Sequence, residues 1–365
     1  MKNIQYKFQI FFIFITIFFG ILSSCKKDEI IYNSTPLTPI SIDTTVKQMN
    51  IYFGTLHAHT RYSDGSGSPA DGYRWARDVA KMDFYVITDH AEDLYGDEWS
   101  TVGEQAKIFT QDGKFVALRG FEWSSVFDGH ANVYNTDNYI SSIHYPTAGM
   151  LYRWLSENNA YAQFNHPGYD GKSFDNLKYK SKVVKNFVAI ETGNDVDGNN
   201  SGLYINYYHI ALDNGWKVGP TNNLDNHSLI DCRHRTAILA ENLSSASILE
   251  AIAARRFYST DDPDIKIKYR YKDNWMGSDV KDTGNIMLKV DVEDNEPIST
   301  IELITNMGAL ADYIIINNSF TSYSWNPVVH VTGKSYFYIK ITSQNLLEDD
   351  LPEQVSVTAP IWFNN

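Results

Sequence analysis

The chain has 365 residues, 43% of them hydrophobic, and a formal net charge of -13. That length can bury one large core with a smaller domain beside it. The acidic balance argues against binding nucleic acid, but it leaves room for a small phosphorylated substrate, because bound divalent cations can dominate the local field of a site.

Residues 1–24 read as a targeting segment. Lys2 and Lys7 precede the apolar run 8–22, and Leu22-Ser23-Ser24-Cys25 follows. A basic start, an apolar span and small residues form the layout of a secretory signal. A cysteine directly after them resembles the lipobox of bacterial lipoproteins. The resemblance implies cleavage before Cys25, lipidation of Cys25, and an extracytoplasmic protein anchored to a membrane. A retained membrane anchor is the alternative, since the span is nearly long enough. Loss of residues 1–24 removes two lysines and no acid, so the body is more acidic still. Residues 25–49, rich in Ser, Thr and Pro without periodicity, read as a flexible tether. With Cys25 lipidated, Cys232 has no partner and no disulfide framework is expected.

From residue 50 onward, short β-branched and aromatic runs alternate with helical patterns. Strand 51–56 opens into His57-Ala58-His59 and Ser63-Asp64-Gly65. Helix 69–81 has Pro69 in its opening turn. Strand 84–87 runs into Thr88-Asp89-His90, helix 102–109 follows, and strand 115–118 leads to Glu122. A short strand at 130–134 begins with His130. Helix 147–158 precedes strand 161–164, which opens into Asn165-His166-Pro167-Gly168. Strand 187–190 runs into Glu191, and helix 204–212 leads to strand 216–218. The run Asn222-Asn223-Leu224-Asp225-Asn226-His227 comes next, then strand 237–240 and helix 244–256, which a serine opens. This alternation implies a parallel sheet, and roughly 210 residues suits a closed β/α barrel spanning 50–262. Beyond Asp261-Asp262-Pro263, short strands without convincing helices imply a small antiparallel β-sandwich at 263–365, accessory to the barrel.

The histidines and acids cluster at strand ends, the face where β/α barrels do chemistry. On a strand, residues i and i+2 project the same way, so His57 and His59 can grip one cation, with Asp64 on the following turn. His90, Glu122, His130, His166, Asp225 and His227 bring the candidate ligands to nine. Imidazole with carboxylate suits zinc, manganese or iron, and nine ligands suggest two or three ions.

These motifs resemble the PHP family of metal-dependent phosphoesterases, which includes histidinol phosphatase and polymerase-associated domains. The resemblance lies in H-x-H with S-D-G (His57 to Gly65), T-D-H (Thr88 to His90), Glu122, His130, the N-H-P histidine His166, and D-x-H (Asp225 to His227). The wording around His57 and Asn222 is closer to the carbaryl-hydrolase-like branch. Asn223 and Leu224 stand ahead of Asp225, where family members commonly carry glycine or serine. The resemblance implies a distorted barrel of seven β/α units. It also implies one metal on His57, His59 and Asp225, a second on His130 and His166 with Glu122 bridging, and a third on Asp64, His90 and His227.

The expected activity is hydrolysis of a small molecule's phosphoester by a metal-activated water. Asp89 is expected to orient a ligand or accept a proton, and Arg61 to contact the substrate anion. The same ligands serve equally for a carbamate, ester or amide. A surface binding lipoprotein without activity is the remaining alternative.

Overall fold

The computed structural model describes residues 46–194, 204–231, 233–346 and 353–364. The signal segment, Cys25, the tether up to residue 45, and Cys232 lie outside the described residues. Strand β1 (Asn50–Thr55) pairs parallel with β2 (Phe84–Ile87), and β2 pairs parallel with β3 (Val116–Ser125). Helices α1 (Pro69–Asp78) and α2 (Glu98–Phe109) make the crossovers. Ser68 and Asp71 close a capping box at the start of α1, with Pro69 in its first turn. Buried Pro69, Gly72, Tyr73 and Ala76 mark its inner stripe at helical spacing. The helix stops short of the expected residue 81, where Lys81 has φ +54°.

After β3 the β/α rhythm breaks. β3 runs ten residues, well past 118, and turns directly into antiparallel β4 (Gly129–Tyr134). Glu122 therefore sits inside a strand rather than in a loop beyond its end, while His130 lies at the start of the next strand, as expected. Helix α3 (Ala148–Asn158) leads to β5 (Tyr161–Asn165), antiparallel to β4. The single left-handed turn α4 (Phe174–Leu177) then precedes β6 (Phe187–Asn194). Helix α5 (Ile205–Asn214) follows, and β7 (Gly219–Asn223) lies just after the expected 216–218. β5, β6 and β7 are parallel, whereas β8 (Arg235–Ala240) returns antiparallel on the far side of β1. Helix α6 (Ser245–Ala253) leads to β9 (Phe257–Thr260), antiparallel to β8.

The sheet is thus mixed, and among the described residues backbone pairing does not close it into the expected barrel: the ladder ends at β7. Side chains span the seam instead. Asn223 Oδ1 accepts from Leu56 N at 2.9 Å and from Thr236 Oγ1 at 3.1 Å. Asn222 N donates to Thr236 Oγ1 at 3.2 Å, and Asn222 Nδ2 to the Thr260 carbonyl at 3.0 Å. Asn222 and Asn223, at the end of β7 ahead of Asp225, are the residues that bridge this gap.

The remaining strands are β10 (Lys266–Tyr271), β11 (Asn274–Trp275), β12 (Asp279–Lys281), β13 (Gly284–Met287), β14 (Lys289–Glu293), β15 (Ile298–Thr305), β16 (Ala309–Ile315), β17 (Ser322–Trp325), β18 (Val328–Val331), β19 (Ser335–Gln344), β20 (Glu353–Thr358) and β21 (Ile361–Asn364). One antiparallel sheet runs β11-β10-β14-β17, and β15, β16, β19 and β20 form another. Ile267 and Val292 from the first pack in one core with Ile301 and Ile339 from the second, as in a sandwich. β20 also pairs with β9, so the sandwich sheet continues the barrel-side sheet. The same core takes in Ala237, Leu239 and Tyr258, which puts the sandwich where helices would otherwise cover β8 and β9.

Candidate metal centre

The interior of the strand array is polar. Strand alternation turns Gln163 and Asn165 of β5 inward, together with Glu191 of β6 and Thr221 and Asn223 of β7, all nearly inaccessible. Thr221 Oγ1 donates to Gln163 Oε1 at 2.9 Å, and Gln163 Nε2 donates to Asn165 Oδ1 at 2.9 Å. Glu191 is the hub. Its Oε1 accepts from Asn223 Nδ2 at 3.0 Å, and its Oε2 accepts from the His166 amide at 2.7 Å and from Asn194 Nδ2 at 2.9 Å. A buried carboxylate supplied with this many donors is tolerated in the core.

His57 and His59 follow the end of β1. Ala58 between them forms a parallel bridge to Asn226, and the His59 amide donates to the Asn226 carbonyl at 2.9 Å. The first and last motifs therefore lie side by side. Ala58 packs outward in the cluster with Tyr73 and Ile87, which leaves the two imidazoles facing inward. Their Nε2 atoms are 3.2 Å apart, and Asp225 Oδ1 lies 3.2 Å from His57 Nε2 and 3.0 Å from His59 Nε2. His57 Nδ1 is 2.9 Å from Glu191 Oε1, so Nε2 is the nitrogen left for a cation.

Glu122 links this group to the others. Its Oε1 is 3.5 Å from His57 Nε2, 3.3 Å from His130 Nδ1 and 3.5 Å from His166 Nε2. Its Oε2 is 3.0 Å from His90 Nδ1 and 3.6 Å from His59 Nε2. Asn165 Nδ2, from the residue before His166, donates to Oε1 at 2.7 Å. On the other side, Asp64 Oδ1 is 3.2 Å from His227 Nε2, and Asp64 Oδ2 is 3.6 Å from His90 Nε2. His227 Nδ1 lies 2.7 Å from the Asp225 carbonyl, which again turns Nε2 toward the cavity. The structure thus gathers His57, His59 and Asp225, then Glu122, His130 and His166, and then His59, Asp64, His90 and His227, each set with ligand atoms within 4.8 Å of one another.

The residues fit divalent cations. His130 Nδ1 is buried and makes no hydrogen bond. Burial by itself would lower the His57 pKa, yet Asp225, Glu122 and Glu191 raise it well above the usual imidazole value. His90 is pushed up to about 11 by Glu122 and Asp64, against the effect of burial. Glu122 is held well below the carboxylate range, despite its burial, by His57, His90 and His130. His59 is the exception, because burial lowers it and the neighbouring His90 adds to that. Carboxylates surrounded by imidazoles that would hold protons in a cation's place are the donor set of a metal site. Two candidate ligands sit on sparsely populated backbone, His166 at φ +27° and Asp225 at φ +48°, as functional residues often do.

The two non-ligand candidates lie elsewhere. Asp89 faces the turn between His59 and Asp64. Its Oδ1 accepts from Thr60 N at 2.6 Å and Ser63 Oγ at 2.8 Å, and its Oδ2 from Thr60 Oγ1 at 2.8 Å. Gly65 closes that turn, where a Cβ would come within 2.6 Å of the His59 carbonyl carbon. Arg61 is exposed and outside the lining of the cavity. Sequence reasoning missed Glu191, Asn165 and Asn194. Glu191 followed an apolar strand as the ligands do, and Asn165 stood beside His166, so both carried the positional signal.

Seven of the nine candidate ligands, Asp64, His90, Glu122, His130, His166, Asp225 and His227, line a cavity of about 230 Å³ together with Tyr169, Asn194 and Tyr204, with no lysine or arginine among the described lining residues.

No protein-family model matches the chain. An uncharacterized protein of Chlamydia pneumoniae is 21% identical over 86% of this chain, which spans 57% of that relative's length. Among solved structures, a two-domain protein from Bacteroides vulgatus, described as containing a predicted PHP-like metal-dependent phosphoesterase, is similar over 87% of this chain and 97% of its own. The TM-score is 0.47 and the identity 16%. The PmoD soluble domain from a Methylocystis species matches 27% of this chain and 90% of its own, at TM-score 0.21 and 10% identity.

Proposed function

We propose that the protein is a metal-dependent hydrolase of the PHP type that cleaves a phosphoester of a small molecule. The observation that carries this reading is Glu122, whose two oxygens lie between 3.0 and 3.6 Å from nitrogens of five histidines. One carboxylate shared among ligand sets joins neighbouring cation sites into one centre. His57, His59 and Asp225 would hold one ion, His130 and His166 a second with Glu122 between them, and Asp64, His90 and His227 a third. Divalent cations there, with zinc, manganese or iron matching the ligands, supply Lewis acidity and a hydrolytic nucleophile at neutral pH.

The chain's own groups orient the donors. Glu191 fixes the His57 tautomer and the Asp225 carbonyl fixes that of His227. Asp89 acts as a positioning residue that holds the Thr60–Ser63 turn, and with it Asp64. The cavity is smaller than the roughly 300–1,000 Å³ of typical ligand pockets, so it takes the reacting group while the rest of the substrate lies over the rim. On this reading Arg61, exposed in the first motif, contacts that outer part as a screened charge.

The absence of basic side chains from the described lining residues favours one further reading. A phosphoryl group entering the cavity meets Asp64, Glu122 and Asp225 and depends on the cations alone for charge balance. A neutral carbamate, ester or amide carries no such requirement. We also place the enzyme outside the cytoplasm, tethered through lipidated Cys25, on the strength of the lipobox-like sequence.

The test is metal content together with turnover of aryl phosphates, carbamates and esters in parallel. The expected result is metal-dependent hydrolysis of a phosphoester that His57→Ala and Asp225→Ala abolish. Turnover of carbamate or ester alone selects the second reading. Metal-loaded protein inert on the whole panel, or protein that binds no metal, overturns the hydrolase in favour of a binding protein.

A further inference from the structure

We propose a separate calcium site at which Asp262, Asp264, Asp294 and Glu296 clasp the β9–β10 connection to the β14–β15 connection. Ligand oxygens of the four acids lie within 4.8 Å of one another. Acidic clusters are common without ions, so burial and hydrogen bonding decide this case. Asp262 is 0% and Glu296 8% exposed.

The three aspartates share one pattern, in which one oxygen is anchored and the other left free. Asp262 Oδ1 accepts from the amides of Asp264 at 2.9 Å and Ile265 at 3.1 Å, while its Oδ2 is buried without a partner. Asp264 Oδ2 accepts from Asn295 Nδ2 at 2.8 Å, and its Oδ1 is buried without a partner. Asp294 Oδ1 accepts from the Glu296 amide at 3.1 Å, and its Oδ2 is again buried without a partner. Buried polar atoms in native proteins nearly always find partners, so three orphaned oxygens on acids clustered this closely point to a cation. Among the described residues, no lysine or arginine forms an ion pair with any of the four acids.

The chemistry selects the ion. All donors are oxygen and none is imidazole or thiolate, which suits a hard cation, and irregular loops suit calcium's tolerant coordination over magnesium's strict octahedron. The position suggests its role. Asp262 and Asp264 follow β9, the strand joining the barrel-side sheet to the sandwich, while Asp294 and Glu296 link the two sandwich sheets. Asp261, next to the site, accepts from Asn222 Nδ2 at 2.7 Å in the side-chain seam beside β7. A bound ion would brace that junction.

The full-length protein, freed of calcium with EGTA, is titrated with calcium while thermal unfolding is followed, and with terbium while luminescence is followed. We expect one terbium ion displaced by calcium, and a rise in unfolding midpoint of about 4 °C at roughly 100-fold above Kd. Asp294→Asn should abolish both responses without changing the zinc or manganese content of the histidine centre. Glu296→Gln, should the first variant fail to fold, should weaken calcium binding at least about tenfold. No response at about 10 mM calcium, above the weakest affinities of extracellular calcium modules, would overturn the site. So would a response that survives both substitutions. Stabilisation by Asp294→Asn without calcium would show that the acids share a proton instead.

Discussion

His57 Nδ1 lies 2.9 Å from Oε1 of Glu191, and both side chains are completely buried. Glu191 lies outside every candidate ligand group, yet by holding Nδ1 it leaves Nε2 of His57 turned toward His59 and Asp225. Partners of this kind typically contribute 10–100-fold to metal affinity. Glu191→Gln is therefore expected to weaken metal retention about 10–100-fold in chelator competition. Unchanged retention would mean that packing alone orients His57.

The pH dependence of the metal-free protein follows from the shifted groups. His90 is raised to about 11, so its contribution is full below the unfolded value near 6.5 and is lost as pH rises toward 11. Asp64, Asp225 and Glu122 are depressed, so theirs is present above the unfolded values near 4 and is lost as pH falls through the lower folded values. Metal-free protein should accordingly be most stable at about pH 5–6 and weaken toward pH 9. Metal binding at pH 7 should release protons, seen as an enthalpy that varies with buffer ionisation in calorimetry. A stability curve rising from pH 6 to 9 without metal would contradict this.

Asp89→Ala removes a buried acceptor from Thr60 N, Thr60 Oγ1 and Ser63 Oγ. Hydrogen bonds to charged groups contribute roughly 1.5–3 kcal/mol, and leaving the Thr60 amide unpaired adds to the loss. A destabilisation of about 3 kcal/mol in urea unfolding is expected, with metal content falling most at the Asp64 group. If Asp89 instead exchanges protons with substrate, Asp89→Asn would remove a limb of the pH–rate profile at full metal content.

Asn223→Leu keeps the approximate volume but leaves Leu56 N without its acceptor across the seam, while Thr236 Oγ1 keeps the Asn222 carbonyl at 3.2 Å. A buried donor left unpaired costs about 1–3 kcal/mol, so the unfolding midpoint in urea should drop accordingly. A change under about 0.5 kcal/mol would show that the seam is held by packing.

Arg61 is exposed and outside the cavity lining. Arg61→Ala should raise KM for an anionic substrate only a few-fold, with the effect fading as salt is added, and leave kcat unchanged. A large fall in kcat would instead place Arg61 at the reacting group.

The nine ligand candidates were legible because imidazoles and carboxylates at the ends of apolar strands have few other reasons to recur, and the strand period already put His57 and His59 on one side. The sequence also marked the sandwich, whose alternating short strands declare one buried face. Only the tertiary structure decided the rest. The antiparallel turn from β3 into β4 and the open edge at β7 depend on which strands meet, and pairing partners far apart in the chain leave no local periodicity. Glu191 read as an ordinary strand-end acid until β5, β6 and β7 brought four donor groups and His57 around it. Local pattern records what each residue type can do; a buried carboxylate's role is set by donors that only the fold assembles.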